Sequence, residues 1–579
     1  MPPKKKPKIA LSNTNPHADL LDDEAERLLS ERPRCISHSR HPLEEDNWIE
    51  LPMCRLEKQM ELFSQAIREK PNWMVKVKDE KICKKWVEEA IEESKKEPPP
   101  HLAYNYKGTE LTPAAAHYII KENRWLADQI DGTVVMSPVM GVYQSDELIE
   151  DELRTELLSN AKVLEDVPDD EKDWHPRSSN QVLDLVHPSL YCFVYGRTYQ
   201  VERQMKPTLL STGASIMTPP PPTGVQRPIR YNMMGDVMYD SEFASSKKFH
   251  WLPSEFIVDR EGRVKIDSYI NNLHPVRHKM MYGTLAKIFE KFVPMLGRVL
   301  EPHHQNRIDP RFREYMASRS REKARNNDRF QQMKYEAKVP KKFEPRQEKF
   351  VDLRGRRLQV IVKMANIELT PDNPEYEGGN WHVEGMLNER IVATCIYYYV
   401  SNNISESRLC FRRRVRQPFS EGEQTEQSEG VVECYQVFGL GAYNNLEELL
   451  GSIETKEGRC IVFPNINQHM VSPFYLTDPT LPGSRKILVF FLVDPDHRIT
   501  STARVPPQQH DWLWDELKAC EPFSSLPRDI LDVIQGYCGF LMKREEAEDV
   551  RLKLMEERSM MVNHVNSGLF QQHFNLCEH

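Results

Sequence analysis

Gly378-Gly379-Asn380-Trp381-His382-Val383-Glu384-Gly385 is the stretch on which the fold turns. A glycine-rich approach leads into an extended segment. Residues i and i+2 of such a segment point the same way, so His382 and Glu384 can reach one ion. A third ligand must then come from another strand. His469 stands in Phe463-Pro464-Asn465-Ile466-Asn467-Gln468-His469-Met470-Val471, where a strand ends, a turn follows and a new strand begins. Two histidines and a carboxylate hold one face of an iron(II) ion and leave the other open. Farther on, Arg485 opens the apolar run Lys486-Ile487-Leu488-Val489-Phe490-Phe491-Leu492-Val493. A charge there is costly unless paired, and an arginine holds a carboxylate cosubstrate by two charge-assisted bonds. Arg485 and Lys486 compete for that place, because alternation turns one of them inward. The expected site therefore takes Fe(II) and 2-oxoglutarate.

Each of these residues also has a plainer reading. His469 by itself is an ordinary hydrogen-bonded histidine at a strand edge. Arg485 by itself is a side chain reaching water from a strand end. A second His-x-acid pair, His17-Ala18-Asp19, lies in a polar tail and is read as chance. Trp381 is either a core residue or part of the substrate's approach beside the 372–380 loop. His274, His278 and the pair His303-His304 match no common ligand spacing and are expected on the surface or in hydrogen bonds.

Outward from this stretch, 358–369, 391–400, 459–463, 470–475 and 486–493 carry the Val, Ile and aromatic content of strands. Short strands separated by turns predict an antiparallel sandwich or barrel. Residues 420–430 interrupt them as a polar surface loop. Residues 249–270 alternate like strands around the turn Asp259-Arg260-Glu261-Gly262. Apolar spacing of three and four predicts helices over 52–98, 112–129 and 281–300. In the last of these, Leu285, Ile288, Phe289 and Phe292 share a face. The aromatic run from Tyr191 to Tyr199 alternates like a buried strand, and Pro219-Pro220-Pro221-Pro222 marks a stiff loop. The charged stretch 307–349 is expected to be a solvated helical connection. Ser525 is the expected cap of a helix with Pro527 in its first turn. A charged helix over 541–562 follows, with Leu552, Met555 and Met560 on its packing side.

The chain has 579 residues, too many for one core. Its 39% hydrophobic content suits a globular protein, and a net charge of −9 gives no bulk attraction to nucleic acid. No stretch reaches the roughly 20 apolar residues that span a bilayer, and the lysine-rich start lacks a secretory pattern. Eleven cysteines, an odd number without a Cys-x-x-Cys, argue against a structural zinc site or a disulfide framework. Free thiols fit an intracellular setting, cytoplasm or nucleus. The lysine cluster is read as a solvated tail, with a nuclear address as its alternative.

Several segments carry family resemblances. The stretch Asn388-Glu389-Arg390-Ile391-Val392-Ala393-Thr394-Cys395-Ile396-Tyr397-Tyr398-Tyr399 resembles the strand after the first metal motif of prolyl hydroxylases. The stretch from Arg485 through Asp494-Pro495-Asp496 resembles their final strand. This resemblance covers roughly 357–495. It implies a double-stranded β-helix (jelly roll), Fe(II) held by His382, Glu384 and His469, and the far carboxylate of 2-oxoglutarate held by Arg485 with Tyr398. Glu384 departs from the commoner aspartate, and the interval from His469 to Arg485 is longer than usual, so the loop between them must bulge. More of the chain resembles a fungal family catalogued as a domain of unknown function (number 4246). That match runs through His187-Pro188-Ser189-Leu190-Tyr191, Tyr269-Ile270-Asn271-Asn272-Leu273-His274-Pro275, the Gly378–Gly385 stretch, Phe463-Pro464-Asn465, Ser501-Thr502-Ala503-Arg504-Val505-Pro506-Pro507-Gln508 and Cys577-Glu578-His579.

The expected architecture is α+β. A disordered tail (1–50) and a helical arm (51–180) precede a mixed α/β region (181–350). A double-stranded β-helix core (351–510) and C-terminal helices (511–579) follow. The expected function is an Fe(II)- and 2-oxoglutarate-dependent oxygenase, a dioxygenase, acting on an unidentified substrate. The alternative is a non-redox metal-binding or inactive β-helix protein that serves as an interaction scaffold. No membrane partner is expected, nucleic acid is unsupported, and a homodimer stays open.

Overall fold

The strands around the expected site are β1 (Ser254–Val258), β2 (Arg356–Leu369), β3 (Ile391–Asn402), β4 (Arg408–Arg414), β5 (Glu447–Glu454), β6 (Cys460–Pro464), β7 (Gln468–Val471) and β8 (Gly483–Val493). They come from a computed structural model that describes residues 50–96, 109–129, 132–201, 215–217, 230–231, 237–239, 244–300, 307–308, 311–325, 333–345, 350–418, 427–441, 444–519 and 521–571. The lysine cluster, His17, Asp19, Pro219 to Pro222, His303, His304 and the final Cys577-Glu578-His579 lie outside these residues.

The larger sheet has nine strands, ordered Val135–Met136, Tyr143–Ser145, β6, β3, β8, β2, β1, Val264–Ile266, with Val182–Val186 also paired to β2. The smaller sheet is β5-β4-β7. The ladders within both are antiparallel. The chain crosses between the sheets from β3 to β4 and from β6 to β7.

The architecture is α+β, as expected. The two sheets are not closed on one another. Tyr143–Ser145 pairs with β6, and Val264–Ile266 pairs with β1, so both ends of the larger sheet are extended by strands from outside 351–510.

Alternation along β2, β3 and β8 gives the larger sheet two apolar faces. On the outer face, Val360, Val362, Met364, Leu488, Phe490 and Leu492 meet the helix Lys279–Val299. Its Leu285, Ile288, Phe289 and Phe292 are fully buried, as their spacing predicts. Phe289 and Phe292 approach Phe490 at 5.2 and 6.0 Å. Each such side chain contributes roughly 1.5–3 kcal/mol by leaving water. On the inner face, Ile361, Ile396, Tyr398, Val489 and Phe491 pack with Phe411 and Phe463.

The helices Arg55–Arg68, Glu80–Ser94 and Pro113–Asp128 form a second core. It is tied to the smaller sheet by Glu448, which pairs with Lys58 at 3.4 Å and Arg413 at 2.8 Å.

Several expectations change. Arg307 is not solvated: it is buried between Glu61 (2.5 Å) and Glu122 (2.9 Å). The run from Tyr191 to Tyr199 is not one strand. Tyr191 has φ +50°, which turns the chain, and only Phe193–Val194 and Tyr199–Val201 are extended. Part of the expected 420–430 loop belongs to the helix Gln427–Phe438. The C-terminal helix Arg544–Val565 buries Ala547, Leu554, Met561 and Val565, whereas Leu552 and Met560 are exposed by 44% and 51%. Ser525 ends the short turn Phe523–Ser525, and its hydroxyl donates to Pro522 O instead of capping Arg528–Gly536. No described helix is long and apolar enough to cross a membrane.

Candidate metal centre

The approach to His382 is fixed by glycine. Gly378 has φ +87°, and a Cβ there would come within 2.6 Å of Val471 O. Its neighbour Gly379 donates its N–H to the same carbonyl at 2.9 Å. This close passage sets the segment against β7. His382 and His469 then form an antiparallel bridge, exchanging N–H···O bonds of 3.1 and 3.0 Å. Directly opposed residues share a face, and the two rings lie 4.3 Å apart. Glu384, two residues on, turns its carboxylate to both: Oε1 is 3.7 Å from His382 Nε2 and 3.3 Å from His469 Nε2.

The tautomers suit this grouping. His382 Nδ1 lies 2.7 Å from Asn380 O. A carbonyl can only accept, so Nδ1 carries the proton and Nε2 keeps its lone pair. Asn465 fixes the carboxylate's backbone. Its Oδ1 accepts from Glu384 N at 2.8 Å, and its Nδ2 donates to Glu384 O at 2.8 Å and Ile391 O at 2.9 Å. The three side chains grade from partly open to enclosed: 34% exposed for His382, 16% for Glu384 and 5% for His469.

Burial pushes the Glu384 carboxyl up, but the two facing imidazoles outweigh it and hold the group well below its usual range. Burial and the neighbouring His382 charge push His469 down, toward the neutral form a metal needs. For His382, burial pushes down while Glu384 pulls up, and the net is upward. Donor atoms of this trio all lie within 4.8 Å of one another, so they could hold a single ion.

The competition between Arg485 and Lys486 is settled by partners. Lys486 faces away and meets Glu165 at 2.7 Å. Arg485 faces inward and is 1% exposed. Its Nη1 donates to Ser407 Oγ at 2.9 Å and Thr455 Oγ1 at 3.1 Å, while Nε is buried without a partner. The guanidinium lies 4.1 Å from the Phe474 ring and 5.8 Å from the Tyr398 ring. Among the described residues, no carboxylate is within ion-pair distance of it. Burial pushes the Arg485 pKa down, partly countered by Tyr398 and Tyr376. Burial likewise pushes Tyr398 up to about 12, so it stays a neutral phenol. Ser407 links the two parts: it accepts from Arg485 and donates at 3.2 Å to Ser472 O, three residues beyond His469.

Trp381 is half-buried, with the Arg412 guanidinium 4.7 Å from its ring. Asn566, at the end of the C-terminal helix, donates to Trp381 O at 3.1 Å and accepts from Arg412 at 3.0 Å and Gln468 at 2.8 Å. Asn465, Asn566, Ser407 and Thr455 were not singled out as site residues by sequence. Asn465 falls within a quoted motif, which was the only signal for it.

A family model described as Protein of unknown function (DUF4246) matches residues 113–516. Another, Domain of unknown function DUF4246, N-terminal, matches residues 19–89. No curated protein matches the chain. Among solved structures, the chain is similar to the Fe(II)/(alpha)ketoglutarate-dependent dioxygenase TqaL at 14% identity and TM-score 0.21, over 43% of this chain and 70% of that one. It is similar to IDO from Bacillus thuringiensis at 11% identity and TM-score 0.21, over 42% and 73%. It is also similar to a bsmA homolog from Methylobium petroleophilum PM1 at 11% identity and TM-score 0.14, over 25% and 44%. At such scores these likenesses do not establish a shared fold.

Proposed function

We propose that this chain, which belongs to the DUF4246 family, is an Fe(II)- and 2-oxoglutarate-dependent oxygenase. The observation that carries the reading is Arg485: a buried guanidinium with two hydroxyl acceptors, aromatic neighbours and no described carboxylate. A buried cation without a counter-ion is expensive. A dianionic cosubstrate would supply the missing charge.

The crossing of the chain between two sheets supports a double-stranded β-helix reading of the core. In that reading His382 and His469 offer Nε2 and Glu384 offers a carboxylate oxygen, a set suited to iron(II) with open positions. Bound iron and 2-oxoglutarate supply the redox chemistry that oxidises the substrate with dioxygen. Arg485 receives the far carboxylate of 2-oxoglutarate, with Tyr398 beside it. Asn380 O keeps the His382 proton on Nδ1, and Asn465 holds the Glu384 backbone in place. The partly exposed side of His382 leaves room for substrate. Zinc accepts the same ligands, but such a site has no use for Arg485.

The test is turnover without substrate. Purified protein with iron(II), ascorbate and labelled 2-oxoglutarate is expected to release carbon dioxide, and His382→Ala and Arg485→Ala are expected to lose that activity. A folded, iron-loaded protein that neither binds nor decarboxylates 2-oxoglutarate would overturn the proposal.

A further inference from the structure

A second polar cluster lies on the Val182–Val186 edge of the larger sheet: His175, Asp184 and His187. Its donor atoms also fall within 4.8 Å of one another. The spacing nevertheless differs from that of the first trio. His175 Nδ1 lies 2.7 Å from Asp184 Oδ2. Ligands that share an ion at metal–ligand distances of about 2.1 Å stand roughly 3.0–3.5 Å apart, so 2.7 Å is a hydrogen bond. His187 Nδ1 accepts the Ser189 N–H at 3.2 Å. The neutral ring therefore keeps its proton on Nε2, as a donor and not a ligand. In this structure the cluster is held by hydrogen bonds.

Lys363 joins it to the metal centre. In the β2–β8 ladder Lys363 is paired with Val489, and paired residues share a face. Val489 belongs to the inner apolar cluster with Tyr398, Phe411 and Phe463, so the lysine rises from the inner face of the larger sheet. In the ladder of β2 with Val182–Val186, Met364 faces Val186, so Lys363 comes level with His187, and its charge is felt at Asp184, His187 and His382. It is half-buried, and among the described residues no carboxylate is within ion-pair distance of it. Asp184 gives Oδ2 to His175 while its Oδ1 is buried without a hydrogen-bond partner, and it lies beyond ion-pair distance of the lysine. Arg485 pairs with Ile367, four residues along β2. At about 3.3 Å per residue the two levels are about 13 Å apart, so the two side chains leave the sheet at different heights.

We propose that Lys363, backed by the Nε2–H of His187, receives an oxyanion group of the substrate, so that the molecule to be oxidised is an anion. The term substrate rests on the oxygenase reading; the anion site does not. Lys363 supplies the charge and His187 a neutral donor, at a level of the sheet away from Arg485.

The experiment titrates the full-length, Mn(II)-loaded protein, saturated with 2-oxoglutarate, with inorganic phosphate and separately with acetate, followed by calorimetry. Wild type is expected to bind at least one of them saturably, one per chain, and the preferred probe tells phosphate from carboxylate. Lys363→Met is expected to weaken that binding by about tenfold or more, and Lys363→Arg to restore most of it. Lys486→Met, which removes the outward lysine, is expected to leave it unchanged. Wild type that binds neither ion, or binding that survives Lys363→Met and fails in Arg485→Met, would overturn the proposal. A separate 2-oxoglutarate titration of the Mn(II)-loaded protein shows whether the oxygenase reading fails instead. Should Lys363→Met not fold, Lys363→Gln gives the same comparison.

Discussion

Replacing Arg485 with methionine should make the empty protein more stable and the cosubstrate complex much weaker. The guanidinium is buried with no described carboxylate, so its removal strands no opposite charge. Of its two acceptors, Ser407 Oγ still donates to Ser472 O and Thr455 Oγ1 still donates to Ser407 O. Methionine fills similar volume beside Phe474. Replacing a buried charge by a matched apolar side chain is commonly neutral to about 4 kcal/mol stabilising, and a gain of about 1–3 kcal/mol is expected here. Binding should move the other way. Removing one partner of a buried charge pair costs about 2–5 kcal/mol. At about 1.4 kcal/mol per factor of ten, that is roughly 30- to 3,000-fold in the Kd for 2-oxoglutarate. Thermal or urea unfolding without ligand gives the first quantity, and calorimetry on the Mn(II)-loaded protein gives the second. A variant that is destabilised by several kcal/mol and binds 2-oxoglutarate as tightly as wild type would show that Arg485 is a structural residue, and the reasoning would fail.

Further outcomes follow from the same contacts. His382→Ala and His469→Ala should each reduce iron bound per chain well below one in metal analysis, and a chelator should lower the melting temperature of wild type but not of these variants. Asn465→Ala removes three hydrogen bonds that hold Glu384 and Ile391; it should cost about 1–3 kcal/mol in urea unfolding and about tenfold in metal affinity. His250, fully buried against Phe193, is pushed by burial down to about 4. The unfolded chain takes up this proton from about pH 6.5 downward and the folded chain only near 4. Stability from this group is therefore complete above about pH 6.5 and falls by about 3 kcal/mol as pH drops to about 4. A His250→Gln variant should show a flatter unfolding free energy across that window.

The convergence of His382, Glu384 and His469 is legible because the sequence places two of them on one extended segment and the third at a strand start. Main-chain pairing of His382 with His469 then does the rest. Arg485 and Lys486 could not be ranked from the sequence, since the deciding partner of Lys486 is Glu165, far away in the chain. Strands β4 and β5 escaped notice for a related reason. Arg412 and Arg413 have the composition of a solvated loop, yet Glu447 and Glu448 on the neighbouring strand pair with them at 2.6 and 2.8 Å, which permits their burial. The C-terminal helix was expected, but not its packing side. Arg551 and Arg558 lie toward the protein: Arg551 meets Asp173 at 2.8 Å, and the Arg558 guanidinium stacks 3.7 Å from the Trp251 ring. Hydrophobic spacing alone therefore chose the wrong stripe.

The account is tested most directly by adding 2-oxoglutarate to the iron(II)-loaded protein without oxygen and recording its visible spectrum. It predicts a charge-transfer band of an iron(II)–2-oxo-acid chelate that saturates at one equivalent per chain and is absent in Glu384→Ala. Iron bound at full occupancy with no such band at saturating 2-oxoglutarate would contradict it.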